Sequence, residues 1–235
     1  MKYNLFFLVL SIFFLFGISG LWAGDSASFV DLGFSPDGKF YAFAQYGVNT
    51  DTLKPWTELI VVDVEKNNYV PGGRVFYVHN IPIVAGQEGS GILYKVMTEK
   101  LDLTASYGIN YCNEGQPLYI ALAGDPAYEG HEISFRDFVS NIRYNAKLNE
   151  TVTGKDEKAS SSFIITLDII ENENLIKKTN IGSPHIKRPL IFFNRICKVL
   201  ISPEGNSLIF VIEMKQYKKG GHNIRYMVEA VSLDL

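Results

Sequence analysis

A short turn sequence used twice sets the strongest limit on what this chain can become. FSPDGKFYAF, Phe34 to Phe43, has an echo in ISPEGNSLIF, Ile201 to Phe210. Pro36 presets the second position of a turn, Asp37 bonds its own backbone, and Gly38 takes the positive φ that closes the reversal. Ser35 adds a further local acceptor. The unit is a tight reversal, with VDLGFS leading in and KFYAFAQ leading out. Ser202-Pro203-Glu204-Gly205 does the same between CKVLIS and SLIFVIE. Asp37 and Glu204 therefore read as turn residues rather than as members of an acidic site. Each copy is followed by a third run ending hydrophobic-Asp-hydrophobic, Val62-Asp63-Val64 and Leu233-Asp234-Leu235. ITLDI, Ile165 to Ile169, carries the same ending.

The remainder of the chain keeps to this β rhythm. TELIVVDV, RVFYVHN, LYIALAG, RYNAKLNETV, SSFIITLDI, LIFFNRICKVLIS and IRYMVEAVSLDL are rich in β-branched and aromatic residues, and Gly, Pro, Asn and Asp separate them. HEISFRDF sets Ile133, Phe135 and Phe138 between polar residues, the alternation of a half-buried strand. One segment departs from the rhythm. SGILYKVMTEKLDL places Ile92, Leu93, Val96, Met97 and Leu101 at helical spacing, which predicts a single amphipathic helix near 91–104 covering one face or end of a sheet. The polar stretch NETVTGKDEKASSS, Asn149 to Ser162, is expected as a solvated hairpin loop.

The N-terminal 23 residues stand apart. Lys2 precedes an apolar run, and small residues and Asp25 follow, the layout of a secretory signal with cleavage expected after Ala23. The alternative is an uncleaved anchor, since Leu5 to Ala23 approaches the roughly 20 residues that cross a bilayer. Both place residues 24–235, read as one mainly β domain, outside the cytoplasm, in the periplasm or released. Without the leader the charge is 21 basic against 25 acidic, net −4. That balance, with no basic cluster, supports neither nucleic-acid binding nor an electrostatic grip on anionic lipid. Membrane contact is expected only through the N-terminal segment if it stays uncleaved.

Cys112 and Cys197 allow a disulfide, worth about 2–4 kcal/mol in an oxidising compartment, or two free thiols that pack like small hydrophobes. Neither has a partner at metal-ligand spacing, so no metal site and no cofactor is expected. No Gly-x-Ser-x-Gly elbow and no phosphate loop occurs; GQEGSGI is a Gly-rich turn before the helix. The densest chemical cluster is GDPAYEGHE, with Asp125, Glu129, His131 and Glu132. Carboxylates and an imidazole this close could bind a divalent cation or share acid–base work. Turn chemistry between two strands explains the same residues.

The hairpin series resembles the repeat of the periplasmic TolB-like β-propellers, over roughly 29–64 and 165–235. Stacked repeats normally need at least three units. The fold class implied is therefore mainly β, a partial or distorted propeller of antiparallel sheets, with a β-sandwich as the alternative. A hairpin unit near each terminus is also expected to bring the two ends of the chain into neighbouring strands. Across its whole length the chain is similar to a bacterial family of predicted secreted proteins, a domain of unknown function, through FVDLGFSPDGKFYAFAQYGV, ELIVVDVEKNNYVPGG, SFRDF and SSFIITLDI. That resemblance implies export and a mainly β domain and carries over no functional residue. The functional expectation is a non-enzymatic binding or scaffold module whose partner is an envelope protein or a glycan. An envelope hydrolase or metal-dependent enzyme using the 124–132 loop is the alternative.

Overall fold

The computed structural model describes residues 24–84, 86–122 and 131–233; the expected leader lies outside them. Strands make up 58% and helices 9%, so the molecule is mainly β. The strands are β1 (Ser28–Phe34), β2 (Phe40–Val48), β3 (Pro55–Asp63), β4 (Asn68–Val78), β5 (Gln116–Ile120), β6 (Glu132–Asp137), β7 (Ile142–Thr153), β8 (Ser160–Glu171), β9 (Asn174–Ile181), β10 (Arg188–Pro189), β11 (Ile191–Ile201), β12 (Ser207–Lys218) and β13 (Gly221–Ser232). Helices α1 (Ser90–Glu99) and α2 (Leu101–Ser106) lie between β4 and β5. All strand pairs of the three sheets are antiparallel. The N-terminal sheet runs β1-β2-β3-β4 and the central sheet β13-β12-β11-β5. In the distal sheet β6-β7-β8 is extended by β9 and β10, both on the far edge of β8.

The sheets stack as layers, and the sequence periodicity follows from the layering. Along β12, Leu208, Phe210 and Ile212 pack on the distal sheet, while Ile209 and Val211 pack on the N-terminal sheet. In β2, Tyr41 and Phe43 face the central sheet and the small Ala42 and Ala44 face α1. In β3, Ile60 and Val62 divide from Leu59 and Val61 in the same way. Strands covered on both faces need no polar side, hence the unbroken runs YAFA, LIVV and LIFVI. The distal sheet is covered on one face only. Ile142, Tyr144, Ala146 and Leu148 of β7, and Phe163, Ile165, Leu167 and Ile169 of β8, are buried in strict alternation with exposed or half-buried neighbours. Among the described residues no barrel closes, and three stacked antiparallel sheets are compatible with both architectures expected from the sequence.

Both Ser-Pro-acid-Gly units form hairpins, β1–β2 and β11–β12. Gly38 N donates to Ser35 O at 2.9 Å and Gly205 N to Ser202 O at 2.8 Å, with φ of +70° at each glycine. The acids differ. Asp37 accepts from Ser35 Oγ at 2.6 Å and from Lys39 N, so the carboxyl is held below its ordinary range, chiefly by the serine. In the second copy Asn206, not Glu204, takes the Ser202 hydroxyl, at 2.8 Å. The two turns meet: a Cβ on Gly38 would lie 2.9 Å from Asn206 Oδ1. The chain ends meet as well. Ser26 forms a parallel bridge with Ile224, and Leu233 N donates to Asn206 O at 2.7 Å.

Three local expectations are corrected. The single helix is two, because Lys100 leaves helical geometry at φ −116°, ψ 22°. The break turns Leu101 outward, 55% exposed, and lets Thr104 go inward to Tyr111 Oη at 2.7 Å. The loop expected over 149–162 shrinks to 154–159, since Asn149–Thr153 and Ser160–Ile164 remain paired across β7 and β8. Phe138 is not an inward strand residue but a turn residue, 86% exposed. Asp137 is buried in its place and accepts from Val139 N, Ser140 N and Ser140 Oγ, which holds its carboxyl low against burial.

Candidate functional site

Of the GDPAYEGHE cluster, Asp125 and Glu129 lie outside the described residues. His131 and Glu132 do not converge. His131 turns inward, its Nε2 3.1 Å from Asn194 O and 3.9 Å from Glu150 Oε2, its ring against Phe193. Glu132 points out to Lys147, 3.2 Å away across the β6–β7 pair. Asn194, fully buried on β11, donates to Glu150 and to Ser161 Oγ, the latter at 2.9 Å. Burial pushes the Glu150 carboxyl up against these bonds. The polar nest thus ties β7, β8 and β11 together. Among the described residues no three His, Cys, Asp or Glu side chains gather to hold a metal.

Both cysteines are free thiols. Cys112 is exposed, while Cys197 is half-buried and donates to Val211 O at 3.4 Å. Burial, reinforced by Glu213, pushes the Cys197 thiol up to about 12, so it is not a nucleophile at neutral pH.

A cleft of about 1230 Å³ lies elsewhere, bounded by β3 and β4, by β13, and by the segment from Asn180 to Pro189. Four carboxylates line it, the exposed Glu65 and three buried ones that are each carried in on a strand or strand flank. Asp25 Oδ2 accepts from Trp56 Nε1 at 2.6 Å and from Arg225 Nη2 at 2.8 Å. Glu58 accepts from Gln45 Nε2 at 2.7 Å and pairs with Arg74. Glu229 accepts from Asn67 Nδ2 and from Arg188 Nη2, the latter at 3.1 Å. Burial raises the Glu229 carboxyl, and Asn67 and Arg188 recover only part of that rise. All three paired carboxylates are buried, so leaving one unpaired would be costly.

Aromatic surface runs beside these pairs. The Arg225 guanidinium lies 4.2 Å from the Trp56 ring centroid, and Phe76 packs on Trp56 at 6.0 Å with its own ring 60% exposed. Tyr69, on the same strand as Phe76, also lines the cleft, its hydroxyl pushed up by burial. Gly47 makes this floor possible. A Cβ there would lie 2.7 Å from Asp25 Oδ1 and 2.9 Å from the Trp56 ring.

Two amides close the seam between the N-terminal and central sheets. Gln45 bonds both backbone groups of Tyr226, accepting from its N–H at 2.9 Å and donating to its C=O at 3.0 Å. Asn67 accepts from Ala230 N at 2.7 Å while donating to Glu229. These side chains do for the outer edge of β13 what a neighbouring strand would do.

A family model described as "predicted secreted protein (DUF2259)" matches residues 42–232. The chain belongs to the DUF2259 family of predicted secreted proteins. That family is one of unknown function. No curated protein matches the chain. The DUF2259 match contains every cleft residue named above except Asp25, which precedes it. Sequence reasoning missed this site because its pairs are far apart in the chain, Asp25 from Arg225 and Asn67 from Glu229. The one signal in reach was Gly47, a glycine inside a strand run, which marks close approach of another group.

Proposed function

We propose that this DUF2259 protein is a non-enzymatic binding module that works in the periplasm or after release, with its leader cut after Ala23, and that its cleft takes a glycan of the cell envelope. The observation that carries this reading is the exposed Phe76 ring beside three buried carboxylates, each of them held by protein donors. The apolar C–H face of a sugar ring stacks on an aromatic ring, while hydroxyls are met by fixed charged groups with bidentate geometry. Phe76 supplies the platform, backed by Trp56. Arg74 and Arg225 keep donor capacity beyond their carboxylate partners, since each guanidinium carries five N–H groups.

The same pairing weighs against acid–base chemistry at these three buried carboxylates. A general acid or base needs a proton position open to substrate; Glu58 and Glu229 spend both oxygens on Gln45, Asn67 and arginines, and Asp25 spends Oδ2 on Trp56 and Arg225 while its Oδ1 is buried. Groups committed in this way orient a ligand.

Trp56 provides the readout. Once the leader carrying Trp22 is gone, Trp56 is the sole tryptophan, and it forms the cleft floor. Titrating a panel of soluble hexose and N-acetylhexosamine oligosaccharides is expected to give saturable changes in its emission for at least one class. A flat response to the whole panel, with a saturable response to envelope proteins, would overturn the glycan reading.

A further inference from the structure

We propose that the end of the molecule where the chain emerges from its leader is a docking face for a lipid bilayer, inserting Leu53, Ile81 and Val84 into the interfacial region. The proposal does not rest on the cleft's ligand. Gly24, the first described residue, sits against the β12–β13 turn: a Cβ on it would lie 1.5 Å from His222 O. Lys218 of that turn reaches Asp51 at 2.8 Å and Thr50 at 2.6 Å, so the β2–β3 hairpin is at the same end. The 79–84 segment joins them, with Ile83 N donating to Leu53 O and His79 N to Pro55 O, both at 2.9 Å. This end therefore gathers three loops around the point where the chain enters from residues 1–23.

Two features of this end identify the occupant. Ile81 is 65% exposed, Val84 68% and Leu53 44%, a set of aliphatic side chains raised on loop tips rather than scattered. The residues joined directly to Gly24 are LFFLVLSIFFLFGISGLWA, Leu5 to Ala23, long enough to approach a bilayer span. While that segment is attached, the loops are held at the membrane surface with their aliphatic tips toward it. After cleavage the same tips allow reversible return. The net charge of −4 beyond the leader gives no attraction to anionic lipid, so the contact is apolar, and salt does not release it. Asn49 and Thr52 of the same hairpin line one end of the cleft, which then opens beside the bilayer.

Every described core residue lies at or beyond Ala27, so the chain from Gly24 keeps the whole fold and is the material for the test. It is sedimented with vesicles of phosphatidylethanolamine and phosphatidylglycerol, at low and at high salt. Binding is expected at both, and Leu53→Ser/Ile81→Ser/Val84→Ser is expected to lower the partition coefficient at least about tenfold, or ~1.4 kcal/mol. Ile81→Trp gives a readout that needs no disruptive change: its added emission should shift to the blue with vesicles and be quenched by brominated lipid. The proposal is overturned if the unsubstituted chain stays in the supernatant or if the triple variant binds equally well. A solution dimer that the same three substitutions split would also overturn it, since the occupant would then be a second copy.

Discussion

At the residue scale, the repeated turn shows how much chemistry a short motif fixes and where it stops. Gly38 and Gly205 share a φ of +70°, yet their surroundings differ: Asn206 crowds the first, and open space surrounds the second. A Cβ in the left-handed region costs about 1–2 kcal/mol, and reduced freedom of the unfolded chain offsets part of it. Gly205→Ala is thus expected to lose about 1 kcal/mol. Gly38→Ala must also push Asn206 off Ser202, which adds about 1 kcal/mol for the lost hydrogen bond. In an Asn206→Ala background the Gly38→Ala cost should fall to that of Gly205→Ala, a coupling that urea unfolding of the four-member cycle measures. Equal costs in both backgrounds would mean the turns do not touch. The sequence reading of Asp37 as a turn residue is correct in atomic detail. The matching role given to Glu204 passes to Asn206, because a glutamate one carbon longer makes no such short bond to Ser202.

At the element scale, strands that pack on both faces and strands with one wet face were distinguishable by eye. YAFA and LIFVI have no polar phase, whereas β7 alternates residue by residue. The helix was visible by its period, but its break at Lys100 was not. The break answers to Thr104 meeting Tyr111, and such a tertiary demand leaves no local mark. The loop expected over 149–162 is shorter for a related reason. Its Ser, Thr and Asn residues sit on a sheet with a solvated face, where polar side chains are as much at home as in a turn. What joins one sheet to the next is similarly hidden. Gln45 is buried and makes two bonds across the seam, to both backbone groups of Tyr226, and a third within its own sheet, to Glu58. Gln45→Ala strands these groups, and each buried polar atom left unmet costs about 1–3 kcal/mol. A loss of about 3 kcal/mol is expected, with faster amide exchange at Tyr226. A loss below about 0.5 kcal/mol, the level of an ordinary surface change, would show that β13 does not depend on the amide.

At the scale of the whole molecule, the layers are what create the candidate site. The N-terminal sheet docks on one face of the central sheet and the distal sheet on the other, and the ends of β4, β9 and β13 are left around a shared cleft. Local sequence could specify strands, turns and the expected export, consistent with a family of predicted secreted proteins. It could not specify which charges meet, because Asp25 and Arg225 are brought together only when the chain ends pair. The cluster legible as GDPAYEGHE was dense in sequence, and of its described members His131 and Glu132 turn to opposite sides of β6. The central claim is that the cleft binds a glycan on the exposed face of Phe76. Its most direct test is calorimetric titration with the best oligosaccharide from the Trp56 panel, comparing the unsubstituted chain with Phe76→Ala and Phe138→Ala. Phe138 is the more exposed ring and lies outside the cleft. The account predicts that Phe76→Ala weakens binding at least about tenfold, ~1.4 kcal/mol, at an unchanged melting temperature, while Phe138→Ala binds as the parent does. Equal affinity for all three proteins, or a loss confined to Phe138→Ala, would contradict it.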